Sequence, residues 1–110
     1  MYLYNGKKLM VKDEWFVKIT GMLQHNWATI SKSKNFATIY FVNDHGRLFD
    51  RLDYDNYSEA KQKLFQNRFN QIDLNDPDSY LTKICPGNVD LKKPMVHHQV
   101  YSSGEYGNWN

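Results

Sequence analysis

At 110 residues, with 41% hydrophobic and 24% charged side chains, the chain is the size of one ordinary domain. It can bury roughly two-thirds of its unfolded surface without metal or cross-links. The single Cys85 excludes an intramolecular disulfide, and a net charge of +2 does not by itself mark a nucleic-acid binder. No apolar run reaches membrane-spanning length and no signal-peptide pattern opens the chain, so a cytoplasmic protein without a membrane partner is the expectation.

Aromatic residues make up 15% of the chain, enough for either an aromatic-built core or an exposed recognition face. Charge is unevenly spread. Residues 1–34 carry six lysines (Lys7, Lys8, Lys12, Lys18, Lys32 and Lys34) against Asp13 and Glu14, a local +4, whereas residues 35–80 carry a local −3. Such polarity can steer a charged partner.

In chain order, Asn5-Gly6 between two short β-favouring runs predicts an N-terminal hairpin with a tight turn. Asp13 then stands as an N-cap, with Glu14 in the first turn and Trp15, Ile19 and Met22 on one helical stripe that Phe16 and Leu23 widen. This predicts a helix, with a strand from Trp15 to Thr20 as the competing reading, because Val17, Ile19 and Thr20 are β-branched and Gly21 weakens a helix. From Trp27 the period becomes two, and residues 36–42 form the densest β-favouring run, expected as the central strand. Asn43-Asp44-His45-Gly46 is a turn, with Gly46 in the left-handed position, and residues 47–52 return as a half-buried edge strand.

Asp55, Asn56 and Ser58 offer N-caps for a helix over residues 58–67 striped by Ala60, Leu64 and Phe65, with Asn67 or Arg68 left-handed at its end and Phe69 folding back. Asp76-Pro77 predicts a third, short helix carrying Tyr80, Leu81 and Ile84, stopped by Pro86-Gly87. Residues 88–110 read as an extended arm that docks through Tyr101, Tyr106 and Trp109. The fold expected is therefore α+β: a three-stranded antiparallel sheet flanked by helices, α-β-β-β-α. A single domain of residues 1–110 results, with its compact core at about 13–85.

Catalytic and metal signatures are thin. His97-His98 in extended chain point to opposite sides, and no partner stands at zinc-site spacing. Asp50, Asp53, Asp55 and Glu59 crowd acidic oxygens together but lack the glycine and terminal glutamate of a calcium loop. Cys85 before Pro86 reads as structural, and no phosphate loop or dinucleotide fingerprint is present. No metal, no cofactor and no catalytic residue is assigned, and an enzyme is the less favoured class. His25 and His45 remain as candidate general bases beside the simpler reading of solvated or capping histidines.

The order helix, three-stranded meander, helix across residues 13–69 resembles double-stranded-RNA-binding domains and HicA-type messenger-RNA-cleaving toxins. Residues 22–30, Met-Leu-Gln-His-Asn-Trp-Ala-Thr-Ile, are similar in layout to the toxin family's helix end and first strand. Where those toxins carry a catalytic His near Gly-Ser-His, this chain has Ser33-Lys34-Asn35-Phe36. The RNA-binding family's basic cluster is matched only by Lys61 and Lys63 beside Glu59. The resemblance thus implies a shared scaffold without the nuclease chemistry.

Two functions follow as expectations. The first is a non-enzymatic protein-binding module, an inhibitor or accessory protein, meeting its partner through Arg47, Phe49 and Arg51 on the hairpin edge or Tyr101, Tyr106 and Trp109 on the arm. The alternative is an RNA-binding module in which Lys7, Lys8, Lys12, Lys18, Lys32 and Lys34 meet phosphates. A small nuclease toxin-like enzyme stands third.

Overall fold

The computed structural model describes residues 9–11, 14–21 and 24–91. Along the chain these form β1 (Leu9–Val11), β2 (Phe16–Gly21), β3 (Gln24–Lys32), β4 (Ala37–Val42), β5 (Leu48–Tyr54), α1 (Tyr57–Gln66), β6 (Asn70–Gln71), α2 (Tyr80–Ile84) and β7 (Asn88–Asp90). Strands β2 to β6 build one antiparallel sheet of order β5-β4-β3-β2-β6, and β1 pairs with β7 in a separate two-stranded ribbon. The class is α+β, but the expected three-stranded sheet between two long helices is overturned. The sheet has five strands, and residues 16–21, taken as the first helix, are one of them.

Burial explains that correction. As a helix, residues 15–20 would hide one stripe and expose the rest. As an interior strand covered on both faces they bury Trp15, Phe16 and Val17 together, at 0%, 0% and 2% exposure. The β-branched Val17, at 2% exposure, suits that setting, and Ile19 suits a strand although its side chain is exposed. The strand alternative was therefore the one the tertiary structure selected. Of the run 36–42, Ala37–Val42 does form an interior strand, yet the middle of the sheet is β3, which pairs with both β2 and β4.

Register sorts the sheet into two apolar layers. Phe16, Ala28, Ile30, Ile39 and Phe41 face α1, where Ala60, Leu64 and Phe69 meet them. On the other face Trp15, Val17, Trp27, Val42 and Leu48 pack with Val89, beneath Leu74, Leu81, Ile84 and Cys85. A bulge between Phe41 and Val42 shifts the pairing with β5, so that Val42 opposes Leu48 while Phe41 opposes Asp50. The intervening Phe49 drops into the α1 layer and the simple alternation expected along β5 is broken.

The helix over residues 57–66 agrees with its local signals. Asn56 caps it by accepting the Glu59 N–H at 2.8 Å, and Glu59 returns the contact to the Asp55 N–H at 3.3 Å. Its end turns through Arg68 at φ 71°, and the Phe69 N–H closes back on the Leu64 carbonyl at 2.9 Å. The third helix is shorter than expected and starts at Tyr80, three residues beyond Pro77. The Asp76 carboxylate instead accepts the Asp78 N–H at 3.1 Å in a local turn. Of the extended C-terminal arm, Asn88–Asp90 is a strand paired with β1. The Asn5-Gly6 hairpin and the aromatics of the arm's end lie outside the described residues.

Candidate functional site

The face of the sheet away from α1 carries the polar geometry. Residues His25 and Trp27 lie two apart on β3, so both side chains stand on that face. The β4–β5 turn brings Asp44 over them. Asn43 shapes this turn, its side-chain oxygen accepting the N–H groups of His45 and Arg47 at 2.9 and 3.0 Å. Gly46 completes it at φ +79°, a left-handed dihedral that favours glycine, while a Cβ there would meet the Asn88 carbonyl of β7 at an ordinary contact distance of 3.4 Å.

Asp44 is the hub. Its Oδ1 accepts the Trp27 indole N–H at 2.7 Å and pairs with His25 Nδ1 at 3.1 Å. Because a carboxylate offers no proton, Nδ1 is assigned as the donor, which makes Nε2 an acceptor whenever the ring is neutral. Oδ2 makes only long contacts, 3.4 Å to the His25 backbone N–H and 3.4 Å to Nδ1. The side chain of His25 is 7% exposed and that of Asp44 35% exposed, so the pair has a buried and an open member.

Helix α2 supplies the outer wall. Tyr80, 58% exposed, places its ring 6.2 Å from the His25 ring at 54°, and Ile84 follows one helical turn later. His25, Asp44, Tyr80 and Ile84 together line an open cleft of about 420 Å³. Ile19, the β2 partner of His25 and 63% exposed, adds apolar surface on the same sheet face. Chemically the arrangement holds an imidazole in one tautomer and offers acceptors among aromatic rings. That is suited to orienting a general base or to seating a hydrogen-bond donor.

The residues proposed from sequence are not gathered here. Phe49 is 6% exposed inside the α1 layer and offers no surface to a partner. Arg51 is exposed on edge strand β5, its guanidinium 5.7 Å over the Tyr40 ring, while Arg47 is half-buried beside the turn. Lys18 lies over Phe69 at 5.9 Å and Lys32 over Tyr57 at 4.5 Å, near opposite ends of α1. A helix of ten residues separates such ends by about 15 Å. Lys34 is exposed in the β3–β4 turn, and Lys7, Lys8, Lys12, Tyr101, Tyr106 and Trp109 lie outside the described residues.

A second polar knot sits on the opposite side of the sheet. The Tyr57 hydroxyl donates to Glu14, with its oxygen 2.8 and 2.6 Å from the two carboxylate oxygens, and Gln71 and Lys61 approach Oε2 at 3.2 and 3.6 Å. Burial first, and then the Glu14 carboxylate, push the Tyr57 phenol well above its usual range. This knot ties α1 to the entries of β2 and β6. The Cys85 thiol is pushed up to about 11 by burial, so it stays protonated and unreactive at neutral pH. Among the described residues no group of three His, Cys, Asp or Glu side chains is placed to hold a metal ion, and no helix is long and apolar enough to cross a membrane.

Sequence reasoning named His25 as a candidate base and residues 43–46 as a turn without joining the two. No protein-family model, curated protein or solved structure matches the chain.

Proposed function

We propose that this chain is a small non-enzymatic protein-binding module, an inhibitor or accessory protein, that grips its partner at the His25–Tyr80 cleft. The observation that carries the reading is Tyr80: a large aromatic, 58% exposed, beside a preformed cleft whose floor is pinned by Asp44. Rigid aromatic anchors beside desolvated pockets are where binding energy concentrates in protein interfaces. The β5 edge is a poorer site. Its Arg51 N–H is already taken by the Asp50 carboxylate at 2.8 Å, and Asp50, Arg51 and Asp53 line the strand with charge, a pattern that discourages strand addition.

A second reading, RNA binding, is favoured by one observation: Phe36, 47% exposed at the β3–β4 tip, stands two residues from exposed Lys34, a ring for a base beside a cation for a phosphate. Capture from native extract, with and without nuclease, separates the two. We expect a nuclease-resistant partner that is lost with Tyr80→Ala and kept with Phe36→Ala. Capture abolished by nuclease, or by Phe36→Ala alone, would favour RNA.

A further inference from the structure

We infer that the cleft receives a cation, the guanidinium or ammonium of an Arg or Lys side chain on the protein partner. This rests on the reading of the cleft as the docking site.

Its charged lining group is a carboxylate without a Lys or Arg partner among the described residues. Oδ1 of Asp44 is used by Trp27 and His25, but Oδ2 has only contacts of 3.4 Å and lone pairs to spare. With Nδ1 donating to Asp44, Nε2 of His25 is a second acceptor whenever the ring is neutral, and no described residue hydrogen-bonds it. The tyrosine ring of the exposed Tyr80 supplies a π face at the mouth. A carboxylate oxygen with lone pairs to spare, beside an aromatic face, matches a planar, donor-rich guanidinium and disfavours an anion. Exposed Asp73, Asp76 and Asp78, on the loop that leads into α2, outnumber Lys83 on α2 itself, a charge balance of the sign that attracts a cation.

The test is a titration of the ¹⁵N-labelled full chain with acetyl-Gly-Arg-Gly-amide and with its citrulline counterpart, which keeps the shape and loses the charge. The expected result is a shift of the Trp27 indole N–H and of the Tyr80 and Ile84 amides by the arginine peptide, with the citrulline peptide about tenfold weaker. Asp44→Asn, which keeps an acceptor for Trp27, should erase that difference. Tyr80→Ala, at an exposed position, controls for folding and should weaken both peptides. Equal shifts from the two peptides, shifts mapping to another surface, or no shift at millimolar peptide would overturn the inference. If partner capture is lost with Tyr80→Ala yet unchanged with Asp44→Asn, the cation is wrong while the docking site stands. If capture survives Tyr80→Ala, the docking site itself is wrong.

Discussion

The two faces of the sheet are closed in different ways. On one, a ten-residue helix with an Asn56 cap, a left-handed Arg68 and a returning Phe69 covers an apolar layer in which Phe16, Ile39, Phe41 and Leu64 have at most 1% exposure. On the other, the cover is a loop, a five-residue helix with no side-chain cap bond and no fully buried residue, and one short strand. There the polar atoms of His25, Trp27, Thr29 and Asp44 are built into the layer, and a cleft stays open. Trp15, Trp27 and Val42 beneath that cover are also at 0% exposure, so the difference lies in the cover, whose own residues Leu74, Leu81 and Ile84 are only partly buried, with Ile84 lining the cleft.

The strongest way to break this contrast is Leu64→Ala, which opens a cavity under α1 and should cost about 2–5 kcal/mol in urea unfolding. Leu81→Ala, on the half-buried cover of the other face, should cost about 1 kcal/mol, and equal losses would erase the distinction. Next, Asp44→Ala strips the acceptor from a buried indole N–H and should cost about 1–3 kcal/mol. Near-UV circular dichroism of Trp27 should change with it, and a silent spectrum would mean that the Asp44 hub does not order this face. Asn56→Ala should cost about 1 kcal/mol and raise amide exchange in the first turn of α1 while leaving α2 unmoved. The smallest effect is alkaline. Tyr57 on one face and Cys85 on the other both have phenol or thiol pKa values raised by folding, so the unfolded chain loses those protons first. Their contribution is whole below the ordinary values of 9.0 for the thiol and 10.0 for the phenol and declines above them. Urea midpoints should therefore fall from about pH 9 upward, and Tyr57→Phe should flatten part of that decline; a midpoint constant to pH 11 would contradict both shifts.

The sealed face was the more legible in sequence. Asn56, the Ala60–Leu64 stripe, Arg68 and Phe69 announce α1 through contacts no more than five residues apart, and Asn43 to Gly46 announce their turn in the same local way. β2 reads as helix or strand alike because a strand buried on both faces loses its alternation, and Trp15-Phe16-Val17 then fits a helix stripe as readily. Asp76-Pro77 carried a helix start that the chain spends on a turn instead. The cleft was hidden for a different reason. Asp44 meets Trp27 and His25 across 17 and 19 residues, and Tyr80 meets His25 across a separate element, so only the sheet register and the position of α2 bring them together.

The ribbon of β1 and β7 has its own consequence. It joins Leu9–Val11 to Asn88–Asp90, with Met10 opposite Val89, a side chain at 0% exposure in the Trp15 and Trp27 layer. The most exposed stretch between α1 and α2 is residues 75–78. A backbone cut there would leave the downstream piece hydrogen-bonded to the start of the chain and anchored by Val89 in the other piece's apolar layer. The protein is thus a natural candidate for reassembly from two fragments split at that loop, with the ribbon as the clasp that brings them together.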